Sequence, residues 1–324
     1  MKNSIVISIL SFLLLAGCST QVTTNNASER IPQANVSNPG VVNISDASLY
    51  SQVIVISDVH GMFDQVITLL RAGKIVDSQN NWMAGNSLLI VTGDSIDKGP
   101  KSLEILNLWI KLQSQAVTAG GDLIHVLGNH EAEFLANPKN SKAAELIAEM
   151  KAQNVPLSDL TEANTPRGIF IHSEPVAARV GRWLFCHSGF YPDLSWADFS
   201  DQAKQVLAAQ DYSDSFLIGS SSILEAKDWE KRNATLAPVI SRMSKNEIYG
   251  TVFGHQPSAF GIQGRSAAKA GGRLVKIDNG MAPEAGANPG SLLIFTKPSQ
   301  MNNMAYPQIK VIFPDGSFQS LKPE

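Results

Sequence analysis

The chain reads as an α/β protein, and three observations point there. Short, continuously apolar runs recur along it, and several are followed by amphipathic stretches with helical spacing. The runs are rich in Val, Ile and Leu without polar alternation, the pattern of strands covered on both faces. The polar residues just past the first three runs, Asp58, Asp94 and Asn129, lie 36 and 35 residues apart, the size of successive strand–helix–strand units.

The elements follow in order. Val53–Ser57 is the first buried strand, and Met62–Ala72 is a helix with Phe63, Val66, Ile67 and Leu70 on one face. Ser87–Thr92 is the second strand. Pro100 sits where the next helix would begin, a position that tolerates its missing N–H, and Leu103, Leu106, Ile110 and Leu112 follow at roughly helical spacing. Leu123–Leu127 is the third strand, and Glu131–Leu135 and Ala143–Lys151 are helices. Val180–Cys186 and Ile248–Phe253 are two further strands. Leu292–Thr296 and Ile309–Phe313 form a late pair, the second of them followed by the turn Pro314-Asp315-Gly316. The region from Ser195 to Lys245 is helical by composition and is expected to build one wall of a cleft. No internal repeat is present.

Composition bounds the function. The 324 residues are 44% hydrophobic and 17% charged, which suits one large globular domain with a tail. A net charge of -3 without a basic block argues against a nucleic-acid partner. At the N-terminus Lys2 precedes the apolar stretch Ser4–Ala16, too short for a confident transmembrane span but of signal-peptide length. Leu15-Ala16-Gly17-Cys18 then resembles the lipobox of bacterial lipoproteins. The resemblance implies a signal peptide over residues 1–17 and a lipid on Cys18, hence a membrane anchor. Ser19 stands where that family's inner-membrane retention signal has Asp, which implies a cell-envelope protein on the outer membrane, facing the periplasm. Residues 18–48 read as the lipidated Cys and a polar, Asn/Ser/Thr-rich tether, and residues 49–324 as the catalytic domain. With Cys18 carrying lipid, Cys186 has no disulfide partner and reads as a small buried hydrophobe.

Five motifs each fall just after a strand: Asp58-Val59-His60-Gly61, Gly93-Asp94-Ser95-Ile96-Asp97-Lys98-Gly99, Gly128-Asn129-His130-Glu131, His187-Ser188-Gly189 and Gly254-His255-Gln256-Pro257. The carboxyl ends of parallel strands line up at one sheet edge, where ligands bind, so the five ends are expected to bring carboxylates, an amide and imidazoles together. Such a set is the ligand inventory of a two-metal hydrolase. The glycines allow tight turns beside the ligand positions.

These motifs resemble the calcineurin-like metallophosphoesterases, and within them the phosphoprotein-phosphatase (Ser/Thr phosphatase-like) family. Ile277-Asp278-Asn279-Gly280-Met281 points to the bacterial Shewanella-like branch. The resemblance covers about Gln52 to Met281, with Ser57 replacing the family's first Gly. It implies a sandwich of two mixed β-sheets flanked by helices. It implies two divalent or transition metal ions, Mn first, with Fe or Zn as alternatives. Asp58 and His60 would hold one metal, Asn129, His187 and His255 the other, and Asp94 would bridge them. A metal-bridging hydroxide would attack phosphorus in line, with His130 as general acid oriented by Asp97.

Two departures concern the phosphate. Lys98 stands for the family's Arg after the second Asp. The second family Arg has its nearest match in Leu224-Glu225-Ala226-Lys227, which makes Lys227 its stand-in, with Arg232 and Arg242 as competitors. Asn129 would also touch the phosphate. A lysine offers a point charge where arginine offers a planar fork, so looser substrate geometry is expected.

The leading expectation is thus a phosphomonoesterase acting on phosphorylated protein or a small phosphomonoester. A nucleotide hydrolase similar to the symmetrical dinucleoside tetraphosphatases is the alternative enzyme, and a non-catalytic envelope lipoprotein the alternative without chemistry. A phosphodiesterase or nuclease is disfavoured because those relatives end in G-H-x-H, where this chain has Gly254-His255-Gln256-Pro257. His125, inside a strand, reads as a core histidine. His172 is left unassigned, and Phe190 and Tyr191 could line the cleft or pack. Asn279 could shape the cleft without being catalytic.

Overall fold

The computed structural model describes residues 38–324, so the expected signal peptide and Cys18 lie outside the described residues. The strands are β1 (Val41–Ile44), β2 (Val53–Ile56), β3 (Leu88–Val91), β4 (Asp122–His125), β5 (Ala177–Val180), β6 (Trp183–Cys186), β7 (Gly250–Phe253), β8 (Ala267–Lys269), β9 (Leu274–Lys276), β10 (Leu292–Phe295), β11 (Ile309–Ile312) and β12 (Phe318–Ser320). The helices are α1 (Phe63–Ala72), α2 (Ser102–Thr118), α3 (Asn129–Ala136), α4 (Ala144–Ala152), α5 (Ser158–Thr161), α6 (Pro166–His172), α7 (Trp196–Ala208) and α8 (Asn233–Lys245).

Two mixed sheets form, in the strand orders β1-β5-β6-β7-β9-β8 and β12-β11-β10-β2-β3-β4. Within them β2, β3 and β4 run parallel, as do β6, β7 and β9, while β10 and β8 join antiparallel. The side-chain alternation of each strand then builds the layers. From β2, Ile54 and Ile56 face α1 and α2, whereas Val53 and Val55 face the other sheet. From β6, Trp183 and Phe185 enter that same inter-sheet core, while Leu184 and Cys186 pack toward α7 and α8. The central strands β2, β3, β6, β7 and β10 are thus buried on both faces, which is why they read as unbroken apolar runs. The result is the α/β/β/α sandwich expected from the sequence.

Several boundaries differ from the sequence reading. Val41–Ile44, which the sequence reading placed before the catalytic domain, pairs in parallel with Ala177–Val180 and belongs to the sheet. Val180–Cys186 is not one strand: Gly181, at φ +57°, turns the chain so that Val180 pairs with Trp183 in an antiparallel hairpin. The α2 helix starts at Ser102 rather than at Pro100. Its first free N–H groups, of Ser102 and Leu103, donate to the Glu149 carboxylate at 2.7 and 3.1 Å, so a residue of α4 caps it. The Ser195–Lys245 region holds α7 and α8, separated by an irregular stretch that reaches the cleft through Lys227. Among the described residues no helix is long and apolar enough to cross a membrane.

Trp183 is fully buried between the sheets, with its ring edge-on to Phe295 at 5.5 Å and near Tyr249 and Tyr306. Replacing it with alanine leaves a cavity that neither sheet can close. Trp183→Ala is expected to cost about 3–5 kcal/mol, read as a lower urea midpoint at unchanged slope.

Candidate active site

The five motifs meet at one edge of the sandwich, drawn from both sheets rather than from one. The carboxyl ends of β2, β3 and β4 supply Asp58, His60, Asp94, Asn129 and His130, and those of β6 and β7 supply His187 and His255. Main-chain bonds lace the loops of the first sheet, with Asp58 N donating to Gly93 O at 3.1 Å and His60 N to Asp94 O at 2.9 Å. Two further bonds join the sheets. The His255 N–H lies 2.9 and 3.0 Å from the two oxygens of the Asp58 carboxylate. His187 Nδ1 sits 2.8 Å from the Thr92 carbonyl.

The Asp94 carboxylate is shared between two groups of imidazoles. Its Oδ2 lies 3.5 Å from His60 Nε2 and 4.0 Å from His130 Nε2, and its Oδ1 lies 3.3 Å from His187 Nε2. His187 Nε2 is in turn 3.2 Å from His255 Nδ1 and 3.0 Å from Asn129 Oδ1. Two clusters, His60–Asp94–His130 and Asp94–His187–His255, therefore each converge tightly enough to hold a metal ion.

The donors fit such ions chemically. His60 Nδ1 bonds the Ile96 carbonyl at 2.9 Å and His187 Nδ1 the Thr92 carbonyl, so each ring turns Nε2 toward the centre of the site. Burial pushes His60 down to about 3 and His255 well below the usual histidine range, which keeps both in the neutral, ligating form. His255 Nε2 is buried with no hydrogen-bond partner. Burial also raises Asp58 well above the usual carboxylate range and Asp278 to about 6. Burial disfavours a charged His187 too, but the Asp94 carboxylate overrides it and lifts the ring to about 10. A buried centre crowded with acids and aided by one trapped proton is chemistry that divalent cations satisfy.

The ligand atoms of His60, Asp94 and His130 lie within 4.8 Å of one another. Asp58 is turned onto the His255 N–H and the Ser57 hydroxyl, the latter also receiving the Thr92 hydroxyl at 2.7 Å. His130 itself is committed through Nδ1 to Asp97 Oδ2 at 2.9 Å, the pair expected from the sequence.

Backbone conformation sets these directions. Asp58, His60, Asp94, Asp97, Lys98 and His255 all have left-handed φ between 41° and 65°, a local cost that the surrounding structure must offset. Much of that support comes from Glu131, whose role was not assigned from the sequence. Its buried carboxylate accepts N–H groups from Asp94, Ser95, Ile96 and Gly128 at 2.7–3.2 Å, tying the second and third motifs together. Its place three residues after Gly128, where a capping-box carboxylate stands, was the available signal.

The site opens into a cleft of about 370 Å³ lined by polar and charged side chains, among them Lys98, Lys142, Lys227, Glu145 and Glu284. Lys98 Nζ is 3.0 Å from His60 Nε2 and 3.9 Å from Glu284. Of the three candidates for the second phosphate-binding cation, Lys227 lines this cleft. Arg242 instead donates to the Tyr191 carbonyl at 3.0 Å, and it and Arg232 line an adjoining depression with Phe190. Tyr191 is fully buried and packs. His125 is a core residue, with Nε2 2.7 Å from the Ser95 hydroxyl. His172 bonds the Tyr212 hydroxyl at 2.9 Å and lines a different depression. Asn279 is tied to Ser291 at 2.6 Å. Burial pushes the Cys186 thiol up to about 12, consistent with a packing role. Lys142 was missed by sequence reasoning.

A two-sheet sandwich whose strand ends gather paired imidazole–carboxylate groups around a bridging aspartate defines a metallophosphoesterase. Residues 51–272 match the calcineurin-like phosphoesterase family, and the chain belongs to it. Among relatives, the Shewanella-like protein phosphatase 1 of Plasmodium berghei is 35% identical over 80 residues, which is 25% of this chain and 22% of that protein. The symmetrical bis(5'-nucleosyl)-tetraphosphatase of Buchnera aphidicola is 28% identical over 184 residues, 54% of this chain and 58% of that one. The chain thus spans well under two thirds of these relatives' lengths. A cold-active protein-tyrosine phosphatase from a psychrophilic Shewanella species superposes with a TM-score of 0.68 at 21% identity, covering 89% of this chain and 84% of that one. At that identity the likeness is one of fold.

Gly254 allows the close approach on which Asp58 depends, since a Cβ there would collide with the Asp58 carboxylate and the Ser57 hydroxyl. Gly254→Ala is expected to weaken Mn²⁺ binding by about tenfold or more, measured by equilibrium titration of the metal-free protein, while the far-ultraviolet dichroism stays native.

Proposed function

We propose that the chain is a binuclear-metal phosphomonoesterase, and that its substrates are phosphorylated proteins. The single observation behind this is the Asp94 carboxylate, whose two oxygens face separate imidazole groups beside the His130–Asp97 pair. Asp58, His60 and Asp94 would hold one metal, and Asp94, Asn129, His187 and His255 the other. Two such ions, when bound, supply Lewis-acid charge and lower the pKa of a coordinated water. Manganese is the proposed metal, since mixed carboxylate–imidazole donors suit it along with iron and zinc.

The chain's own residues account for the remaining steps. Lys98 and Lys227 offer ammonium groups to the phosphoryl oxygens from the wall of the cleft. Asp97 Oδ2 accepts the Nδ1–H of His130 at 2.9 Å, which fixes the ring with Nε2 turned toward the cleft, where it can donate a proton to the departing oxygen. The buried Glu131 holds the loops of Asp94 and Asn129 in register, so that proton donor and ligands keep their spacing.

The protein-phosphatase names of several relatives support a phosphoprotein substrate. The lipobox supports anchoring through Cys18 to the outer membrane, with the site in the periplasm.

The test is hydrolysis of a chromogenic phosphomonoester with and without Mn²⁺, beside a phosphopeptide and diadenosine tetraphosphate. Activity should require metal and extend to the phosphopeptide. Asp94→Asn should abolish it together with one bound ion. His130→Ala should lower kcat by about 10²–10⁴. Preference for the dinucleotide would favour the nucleotide-hydrolase reading, and a folded protein that binds no metal would sink both. Independently, Cys18→Ala should release the protein from the membrane fraction and abolish incorporation of labelled palmitate; continued labelling would rule out Cys18 as the lipid site.

A further inference from the structure

The cleft holds a third lysine, and its anchoring differs from that of the other two. Lys142 lies in the single turn Ser141–Ala143 that follows α3. Its main-chain N–H donates to the Asn140 side chain at 2.8 Å, and Asn140 Nδ2 donates to the Glu133 carbonyl at 3.1 Å, so the turn is pinned onto α3. The Lys142 ammonium bonds Glu133 Oε1 at 2.5 Å. The same oxygen accepts Asn129 Nδ2 at 3.3 Å. Glu133 is one helical turn beyond Asn129, and its side chain is only 16% exposed.

We propose that Lys142 is a further phosphate-binding residue of this cleft, and that Glu133 is the positioning residue that couples it to Asn129. The proposal rests on the phosphatase reading and deepens it. An ammonium has three N–H donors, so one bond to Glu133 leaves others for phosphoryl oxygens. Glu133 also spends its acceptor on the amide NH₂ of Asn129, which aims Asn129 Oδ1 at His187 Nε2 and the centre of the site. Asn129, His130 and Lys142 thus sit on one rigid piece, α3 and its capping turn. Lys98, in contrast, is engaged with His60 Nε2, and Lys227 is exposed on an irregular stretch. A solvent-exposed Lys–Glu pair alone would be worth little, but here the carboxylate is largely buried and bonded to the interior.

Four variants separate the roles. Lys142→Ala should raise KM for a chromogenic phosphomonoester by about fivefold, and weaken inhibition by inorganic phosphate by the same factor, with a smaller change in kcat. Lys139→Ala, which removes a lysine outside the cleft lining, should change neither. Glu133→Gln keeps an oxygen for Asn129 but loses the charge that holds Lys142, so it should raise KM like Lys142→Ala with Mn²⁺ affinity close to wild type. Glu133→Ala should do both, raising KM and weakening Mn²⁺ by about tenfold, read from the electron paramagnetic resonance signal of free Mn²⁺ during titration. If Lys142→Ala matches wild type in KM and phosphate inhibition, or if Glu133→Gln leaves KM unchanged, the proposal falls. Should the wild-type protein hydrolyse no phosphomonoester, the phosphatase reading fails by itself. Calorimetric binding of inorganic phosphate to the Mn²⁺-loaded protein then decides on Lys142: weaker binding in Lys142→Ala supports it, and equal binding overturns it.

Discussion

The site depends on one constraint: the carboxyl edges of two β-sheets must close on a single buried carboxylate. Asp94 leaves the end of β3 in one sheet, yet its Oδ1 faces His187 from the end of β6 in the other. The two sheets are held at this edge by bonds that belong to the site itself, from the His255 N–H to Asp58 and from His187 to the Thr92 carbonyl. The inter-sheet core of Val53, Val55, Trp183, Phe185 and Val252 supplies the hydrophobic force, and the site residues set the register in which it is applied. Packing and site are therefore parts of one arrangement. A shift of one sheet against the other would separate Asp94 from His187 before it opened the core.

Burial makes this arrangement electrostatically demanding. Asp58, Asp94 and Asp278 lie out of water at the same edge, and desolvation disfavours the charge of each. Asp94 alone is driven well below the usual carboxylate range, because His187 and His130 outweigh its burial. The same surroundings hold His60 and His255 neutral. With His60 and His255 neutral, His187 alone among these three rings carries charge beside the buried acids, and the positive charge still wanting is what a divalent cation brings.

The supporting structure explains how loops can hold such a centre. Six of its residues occupy left-handed backbone conformations, which L side chains adopt at a cost. Glycines at the tightest approaches remove collisions that no side chain could avoid, as at Gly93, whose φ is +92° and where a Cβ would meet the His187 ring. Glu131 then binds four main-chain N–H groups and prevents the loops from relaxing. On the same helix Glu133 extends the support outward to the cleft, so Asn129, His130 and Glu133 all fall within the first five residues of α3.

The sequence by itself determined the class of fold, the buried strands β2, β3 and β4, and the residues that gather at the site. The reason is local: a strand buried on both faces must be continuously apolar, and a ligand must follow the strand end that presents it. Helix α2 was legible from its spacing, though its start was not, because Glu149 caps it from 46 and 47 residues away. Only the tertiary structure decided that the five strand ends come from two sheets. It also decided that Val41–Ile44 pairs with β5, and that Gly181 folds an apparently single strand into a hairpin. It placed Lys227 along the cleft and Arg232 and Arg242 along the adjoining depression, and it set Lys142, nine residues from Glu133, back against it through the Asn140 turn. Each of these depends on contacts between distant segments, whose partners no local pattern names.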